Sequence, residues 1–127
     1  MFKRKHLPVI LQTEVSECGL ACVAMVARYW GHNIDLNVLR SRFSISLAGA
    51  SLKSIISIGT TLGLSSRPLR LDIEHLPQLQ LPAILHWDLN HFVVLKAVKN
   101  GKAHIIDPAV GQRVMPLTRF AKHFTGI

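Results

Sequence analysis

The chain has 127 residues, enough for one domain whose hydrophobic core needs no support from disulfides. Apolar residues make up 49% and charged residues 17%, which excludes a disordered tail and a coiled coil. Fifteen lysines and arginines against seven acidic residues give a net charge of +8. This excess favours an anionic partner, namely a nucleic acid, a membrane surface or an acidic protein.

The cysteines and the N-terminal segment indicate the compartment. Cys18 and Cys22 are the only cysteines, which excludes a disulfide scaffold. Their side chains run side by side on a predicted helix, so we expect both to stay reduced. The N-terminal segment lacks the apolar stretch and cleavage site of a signal peptide, and no apolar run in the first third approaches the roughly 20 residues of a bilayer span. We therefore expect a cytoplasmic domain.

The first half of the chain has helical periodicity. Apolar side chains recur every three or four residues over residues 17–30, and Gly31 ends the predicted helix. Asp35 is the expected N-cap of a short second helix, and Ser51 is that of a third helix, which Gly63 follows. The expected apolar face of the second helix consists of Leu36, Leu39 and Phe43. That of the third helix consists of Leu52, Ile55, Ile56 and Leu62.

The second half changes to the alternating pattern of strands. Residues 82–87, 91–98 and 103–107 are predicted strands, and Asn100-Gly101 predicts a hairpin between the last two. Helices first and antiparallel strands second predict an α+β fold, with the helices packed on one side of an antiparallel sheet. The other expected elements are an extended segment at 66–71, a turn or one helical turn at 72–79, an edge strand at 113–115 and an amphipathic helix at 116–124.

Cys18 is a candidate nucleophile. Unpaired N–H groups and the helix dipole at the start of the first helix stabilise a thiolate and lower the pKa of the thiol. Gln12 lies six residues upstream with a side-chain amide suited to an oxyanion, and Gly19 leaves room for a substrate backbone. The alternative for Cys18 is a small core residue, which is the interpretation we give to Cys22.

His91 and Asp107 are a candidate base and its partner. Pairing that is symmetric about the Asn100-Gly101 turn places His91 opposite a position near 110, close to Asp107. A carboxylate beside an imidazole fixes the tautomer and orientation that a general base needs. Taken singly, His91 is a polar strand end and Asp107-Pro108 is a turn. The order Gln, Cys, His, Asp is what favours catalysis.

A zinc site is the competing interpretation of these side chains. The pairs Cys18/Cys22 and His86/His91 each have ligand-like spacing. About sixty residues separate the two pairs, and the cysteines lie within one helix, so we expect no metal. His86 is then a candidate for the lining of a cleft beside His91.

Three segments carry a family resemblance. Residues 12–22, 85–95 and 107–111 resemble, in order and spacing, the cysteine, histidine and aspartate motifs of the double-glycine leader peptidases. These are the N-terminal cysteine peptidase domains of bacteriocin-exporting ABC transporters. The similarity extends over residues 8–124 and looks closest to colicin V-type microcin exporters. It implies a papain-like α+β fold, with residues 1–127 as one peptidase domain at the front of a longer exporter.

The resemblance also implies a role for each site residue. Cys18 would be the nucleophile, His91 the general base and acid, and Asp107 the orienting carboxylate. Gln12 and the backbone N–H of Cys18 would form the oxyanion hole, without a metal or a cofactor.

The implied function is that of a cysteine endopeptidase that cleaves the leader of a bacteriocin or microcin precursor after Gly-Gly. A narrow cleft then supplies specificity, because only residues without side chains fit beside the thiolate. The implied partners are the leader, which docks on an apolar groove, and the transmembrane and ATPase domains of the same transporter. The implied location is the cytoplasmic face of the bacterial inner membrane, where an anionic leaflet and acidic leader residues match the positive charge.

Two other functions stay open. In the haemolysin-type branch of these exporters the nucleophile position is not Cys, and the domain binds cargo without cleaving it. Cys18 is present here, yet a non-catalytic substrate-recognition domain remains the alternative. Nucleic-acid binding is indicated only by the net charge, since the basic residues are scattered, apart from Lys3-Arg4-Lys5, and no groove-reading motif is present.

Overall fold

A computed structural model describes residues 5–43, 50–88 and 90–127. Helices come first and a four-stranded antiparallel sheet of order β1-β2-β3-β4 follows, which confirms the α+β prediction. Among the residues described, no helix combines the length and the apolarity that a membrane crossing needs. The elements are α1 (Cys18–Tyr29), α2 (Leu36–Arg42), α3 (Leu52–Thr61), β1 (Ala83–Trp87), β2 (His91–Lys99), β3 (Lys102–Asp107), β4 (Gly111–Pro116) and α4 (Leu117–Phe120), with 3-10 helices at Val15–Glu17 and Ile73–Gln78.

The helix boundaries lie where the capping residues place them. Asp35 accepts a hydrogen bond from the backbone N–H of Val38 at 2.9 Å, and Ser51 accepts one from that of Ser54 at 3.1 Å. Gly31 follows α1 with a φ of 95°. The apolar face of α3 differs from the prediction, since Ile56 is only half-buried. The buried residues of that face are Ile55, Ile58, Gly59 and Leu62.

The sheet carries a hydrophobic core on each face. On one face α1 packs against Phe92, Val94 and Ile106, and nearly all of this helix is buried. On the other face, the 3-10 helix Ile73–Gln78 and α4 cover a second core, to which Leu76, Trp87 and Phe120 contribute. The expectation that the helices pack on one side of the sheet therefore holds for α1, α2 and α3 but is wrong for α4. Burial on both sides explains why the centre of β2 is continuously apolar instead of alternating.

The helix expected at 116–124 is shorter than predicted. It ends at Phe120, and Phe124 forms an isolated antiparallel bridge with Trp87. The last residues then follow the free edge of β1, where the N–H of His86 donates to the carbonyl of Ile127 at 2.8 Å. The C-terminal residues pair with the open edge of β1 and so satisfy the hydrogen bonds of its backbone groups. A prediction from local helix propensity does not include this gain, so it extended the helix too far.

A β-bulge interrupts the register of the β2–β3 hairpin. Lys96 is the extra residue in β2, and beyond it the pairing moves by one residue. Continued from the Val94–Ile106 pair, this register places position 109 opposite His91, in agreement with the expected position near 110, and places Asp107 opposite Val93. Because side chains alternate between faces, this shift puts Asp107 on the same face as His91.

The turn of this hairpin gives a stability test. Asn100 and Gly101 have φ values of 52° and 72°, the left-handed conformation of a type I′ turn. We expect Gly101→Ala to lower the free energy of unfolding by about 1–2 kcal/mol, because a Cβ is strained at this φ. Gly101→Asn should cost less, since Asn tolerates the left-handed region. Urea unfolding measures both, and an Ala variant as stable as the parent would contradict the expectation.

Candidate active site

Helix α1 presents Cys18 at its N-terminus, against the start of β2. The thiol is buried, with 3% of the residue exposed, and its Sγ lies 4.0 Å from the carbonyl oxygen of Asn90. The imidazole of His91 and the backbone N–H of Phe92 lie close enough to the sulfur to lower the pKa of the thiol. Packing of the helix on the strand thus joins two segments that are far apart in the sequence.

His91 and Asp107 meet at the open end of the β2–β3 hairpin, as predicted. His91 Nε2 and Asp107 Oδ1 are 2.7 Å apart, a contact that leaves the other ring nitrogen, Nδ1, for a different partner. The backbone N–H of Ala109 donates to Asp107 Oδ1 at 2.9 Å, and Arg113 Nη1 lies 3.7 Å from Asp107 Oδ2. A carboxylate fixed in this way orients the imidazole toward the sulfur.

These contacts shift the pKa values of Cys18 and His91 in the directions that favour an ion pair between them. Burial opposes ionisation of Cys18, but hydrogen bonds from His91 and Phe92 and the imidazolium charge outweigh it, so the pKa of the thiol falls below 9.0. The hydrogen bond to Asp107, followed by that to Cys18, raises the pKa of His91 to about 9 against desolvation. The shifts of the Cys18 pKa and of the His91 pKa both act in the direction of a thiolate beside an imidazolium.

The carboxyl of Asp107 remains ionised despite its burial. Desolvation raises its pKa, but the hydrogen bonds from His91 and Ala109 and the positive charges of His91 and Arg113 lower it further. The net pKa of Asp107 lies below its usual value, so the group keeps its negative charge next to the imidazolium.

Gln12 is held beside the turn that follows Asp107, because its backbone N–H donates to the carbonyl of Pro108 at 2.8 Å. Its side-chain Nε2 donates to the carbonyl oxygens of Glu14 at 3.2 Å and Val15 at 3.4 Å. Its Oε1 is buried and has no hydrogen-bond partner among the residues described. An oxyanion hole that uses Gln12 thus requires one of the two N–H groups of Nε2 to leave its backbone carbonyl for the oxyanion while the other keeps its contact, and that role stays a prediction.

Two neighbours of Cys18 serve packing. A Cβ on Gly19 would lie 3.0 Å from the Cβ of Ala50 and 3.1 Å from Cδ1 of Ile55, so glycine here allows α1 and α3 to approach closely. The expectation that Gly19 leaves room for a substrate is thereby corrected, because protein side chains occupy that space. Cys22 is fully buried, and desolvation, followed by the charge of Cys18, raises the pKa of its thiol well above the usual range.

A cleft of about 200 Å³ is lined in part by Asn90, whose carbonyl oxygen lies 4.0 Å from the sulfur. His86 lines it, as predicted, and its Nδ1 lies 2.8 Å from Oγ1 of Thr125. The histidines and cysteines considered for zinc do not gather into one ligand set. In the described ranges the one group of three potential ligands is exposed and lies elsewhere, at Asp72, Glu74 and His75. The full lining of the cleft is Ala50, Ser51, Leu52, His86, Asn90, Phe92 and Ile127.

Sequence reasoning missed Glu17, Arg40 and Arg113. Glu17 is buried directly before Cys18, and Arg40 of α2 forms an ion pair with it. The three-residue step from Glu14 to Glu17 is a capping-box spacing, a signal that was available in the sequence. No local pattern identifies Arg40 or Arg113, because each meets its carboxylate only through the packing of separate elements.

Comparison with known proteins decides the family. A family model described as the Peptidase C39 family matches residues 6–127. The chain belongs to the peptidase C39 family. The resemblance drawn from the three motifs is confirmed, and with it the assignment to the cysteine peptidases.

Relatives and solved structures agree with this C39 assignment. The chain is 47% identical over 124 residues to a probable microcin secretion/processing ATP-binding protein, MchF, of Escherichia coli, and 45% identical to the colicin V secretion/processing ATP-binding protein CvaB of the same organism. Each match covers 98% of this chain but only 18% of the relative's length. A crystal structure of a double glycine motif protease from an AMS/PCAT transporter, in complex with the leader peptide, superposes with a TM-score of 0.89 at 37% identity. It covers 97% of this chain and 89% of that one, which confirms the papain-like fold.

The opposite pKa shifts of the two cysteines predict their reactivity. At about pH 7 we expect iodoacetamide to alkylate Cys18 rapidly and Cys22 not at all, because only Cys18 has a stabilised thiolate. Mass spectrometry of the intact chain measures the rates, with Cys18→Ala and Cys22→Ala as matched controls. Equal labelling of both thiols, or a Cys18 that reacts only above about pH 9, would refute the ion pair.

Proposed function

We propose that this chain is a cysteine endopeptidase that cleaves a leader peptide after a Gly-Gly pair. The observation that carries the proposal is the contact chain from Cys18 through His91 to Asp107, with a lowered thiol pKa and a raised imidazole pKa. A thiolate prepared in this way is a nucleophile for a peptide carbonyl. The relatives named above, whose names include secretion and processing, support the substrate class.

In the proposed reaction the thiolate of Cys18 attacks the carbonyl carbon of the second glycine. His91, protonated through Nδ1, donates this proton to the leaving amine as the peptide bond breaks and an acyl-enzyme forms. The imidazole then takes a proton from water, which attacks the thioester and releases the leader with a free carboxylate. Asp107 stays ionised and stabilises the imidazolium, while Gln12 and the N–H of Cys18 stabilise the oxyanion.

The cleft beside Asn90 is the proposed site for the residues that precede the scissile bond. Its lining includes Asn90, whose carbonyl oxygen lies 4.0 Å from the sulfur, and combines residues of β1 and β2 and their connection with the start of α3. Its small volume supports glycine at the cleavage point, because a side chain there meets Phe92 or Ala50.

We further propose that residues 1–127 act as one peptidase domain of a longer ABC exporter at the cytoplasmic face of the inner membrane. The support is the relatives' length, of which the chain spans about a fifth, and their names as ATP-binding secretion proteins. The transmembrane and ATPase parts of that exporter are then its covalent partners. The net charge of +8 suits a position near an anionic leaflet, and we propose no role for nucleic acid.

The nucleophile is tested by Cys18→Ala with a precursor peptide that contains a Gly-Gly site. We expect loss of detectable cleavage, since no other group in the site replaces the thiolate, while Cys22→Ala keeps most of the activity. Mass spectrometry of the products locates the cut, and a precursor with valines in place of both glycines serves as the substrate control. An unmodified chain that binds the leader without cleaving it would favour the substrate-recognition alternative.

The role of Asp107 is tested by the pH profile. Because the hydrogen bond to Asp107 is the largest cause of the raised pKa of His91, Asp107→Asn should move the basic limb of kcat/KM from about 9 toward about 6.5. Above that pKa the imidazole lacks the proton for the leaving group, so activity falls at lower pH than in the parent. We also expect kcat to fall about 10²- to 10⁴-fold. An unmoved basic limb would contradict this assignment.

A further inference from the structure

Glu17 is a buried carboxylate that the proposed reaction does not use. It immediately precedes Cys18 in the sequence, and only 4% of the residue is exposed. Its hydrogen bonds, above all that from Arg40 and against desolvation, lower the pKa of its carboxyl to about 2. Removing a carboxylate from water requires free energy, which hydrogen bonds to its partners must offset. The partners of Glu17 therefore indicate which part of the structure it stabilises.

The partners of Glu17 belong to the segment between Gln12 and Cys18. Its Oε1 accepts from the backbone N–H of Thr13 at 3.1 Å, from the hydroxyl of Thr13 at 2.7 Å and from the backbone N–H of Glu14 at 3.0 Å. One carboxylate oxygen thus holds two successive backbone amides of the loop. This geometry fixes the direction in which the neighbouring carbonyl groups point.

Arg40 ties the same loop to α2. Its Nη2 donates to Glu17 Oε1 at 3.0 Å and to the Thr13 hydroxyl at 2.8 Å, and its Nε donates to Glu17 Oε2. Its Nη1 donates to Oδ1 of Asn37 at 2.6 Å, within α2. The ion pair therefore anchors the loop to a helix that does not contact the reacting sulfur.

The side chain of Gln12 depends on this loop. Its Nε2 is held by the carbonyl oxygens of Glu14 and Val15, which belong to the segment that Glu17 organises. The backbone of Gln12 is fixed from the other side by Pro108. The side-chain amide of Gln12 thus contacts the loop whose backbone Glu17 holds, while the backbone of Gln12 is held by Pro108.

We propose that Glu17 is a positioning residue for the oxyanion donor Gln12, acting through the Thr13–Glu14 backbone with Arg40 as its anchor. The inference rests on the proposed function, because it presumes that Gln12 stabilises an oxyanion. Glu17 itself contacts neither the sulfur nor the imidazole among its recorded hydrogen bonds. Its removal should therefore impair acyl transfer and spare formation of the thiolate.

The test compares cleavage of a Gly-Gly precursor with alkylation of Cys18 in Glu17→Gln. Glutamine keeps the volume, but its neutral amide offers one acceptor oxygen and turns an NH2 group toward Arg40. We expect kcat to fall about 10- to 100-fold with KM nearly unchanged. The rate of alkylation by iodoacetamide should stay that of the parent, because this reaction forms no oxyanion. Asp35→Asn, which neutralises an exposed helix-capping carboxylate, is the matched control and should leave both rates unchanged.

A double-variant cycle with Gln12→Ala separates positioning from a general structural effect. If Glu17 acts through Gln12, Gln12→Ala with Glu17→Gln should cleave no more slowly than Gln12→Ala alone. Losses that multiply in the double variant, or an alkylation rate that falls together with cleavage, would overturn the proposal. Should Glu17→Gln fail to fold, Arg40→Gln on the exposed side of the ion pair is expected to show the same selective loss. If the unmodified chain does not cleave the precursor, both the proposed function and this inference are wrong. If Glu17→Gln cleaves at the normal rate, only this inference is wrong.

Discussion

The site depends on the packing of α1 against the start of β2. Helix α1 is buried along nearly its whole length between the sheet and the other helices, so its N-terminus has little freedom to move. That burial fixes Cys18 beside Asn90 and His91, at a distance that a mobile loop would not maintain. A helix end also contributes unpaired N–H groups, which favour negative charge at this point. The hydrophobic core therefore determines where Cys18 and His91 come together.

The three polar groups of the site support one another electrostatically. Asp107 stays charged in a buried place because imidazolium, a backbone amide and Arg113 surround it. Its charge raises the pKa of His91, and the resulting imidazolium lowers that of Cys18. Each of these three pKa values is shifted by the other polar groups of the site. The shifts therefore arise only when the three side chains lie together in the folded chain. Cys22, four residues away in the same helix, is fully buried, and desolvation, followed by the charges of Cys18 and Asp107, shifts the pKa of its thiol in the opposite direction.

Glu17 and Asp107 are the buried charged residues in the described part of the chain, and they lie on either side of the Gln12 segment. Both accept hydrogen bonds from backbone amides, and both have an arginine near the second carboxylate oxygen. Burying these two carboxylates requires free energy for their desolvation, and most other acidic residues of this chain, whose net charge is +8, remain at the surface. Each holds in place a short loop that carries or borders a site residue.

The sequence by itself determined the order of the elements, the helix caps at Asp35 and Ser51, the hairpin turn, and the residues Cys18, His91 and Asp107. These features have local signals, since periodicity, capping side chains and the conformational needs of a turn act over a few residues. Their assignment to a family depended on three motifs in one order, which composition and charge alone did not supply.

Only the tertiary structure decided the bulge at Lys96, the short α4, the packing role of Gly19 and the pairing of Glu17 with Arg40. A bulge shifts the pairing of two strands by one residue without changing the residue pattern that predicts a strand. Helix α4 ends early because the residues after it pair with the free edge of β1. Gly19 and Arg40 have roles that depend on groups contributed by other helices. Such contacts join residues that are distant in sequence, so their free energy is absent from any local pattern and appears only when the elements pack.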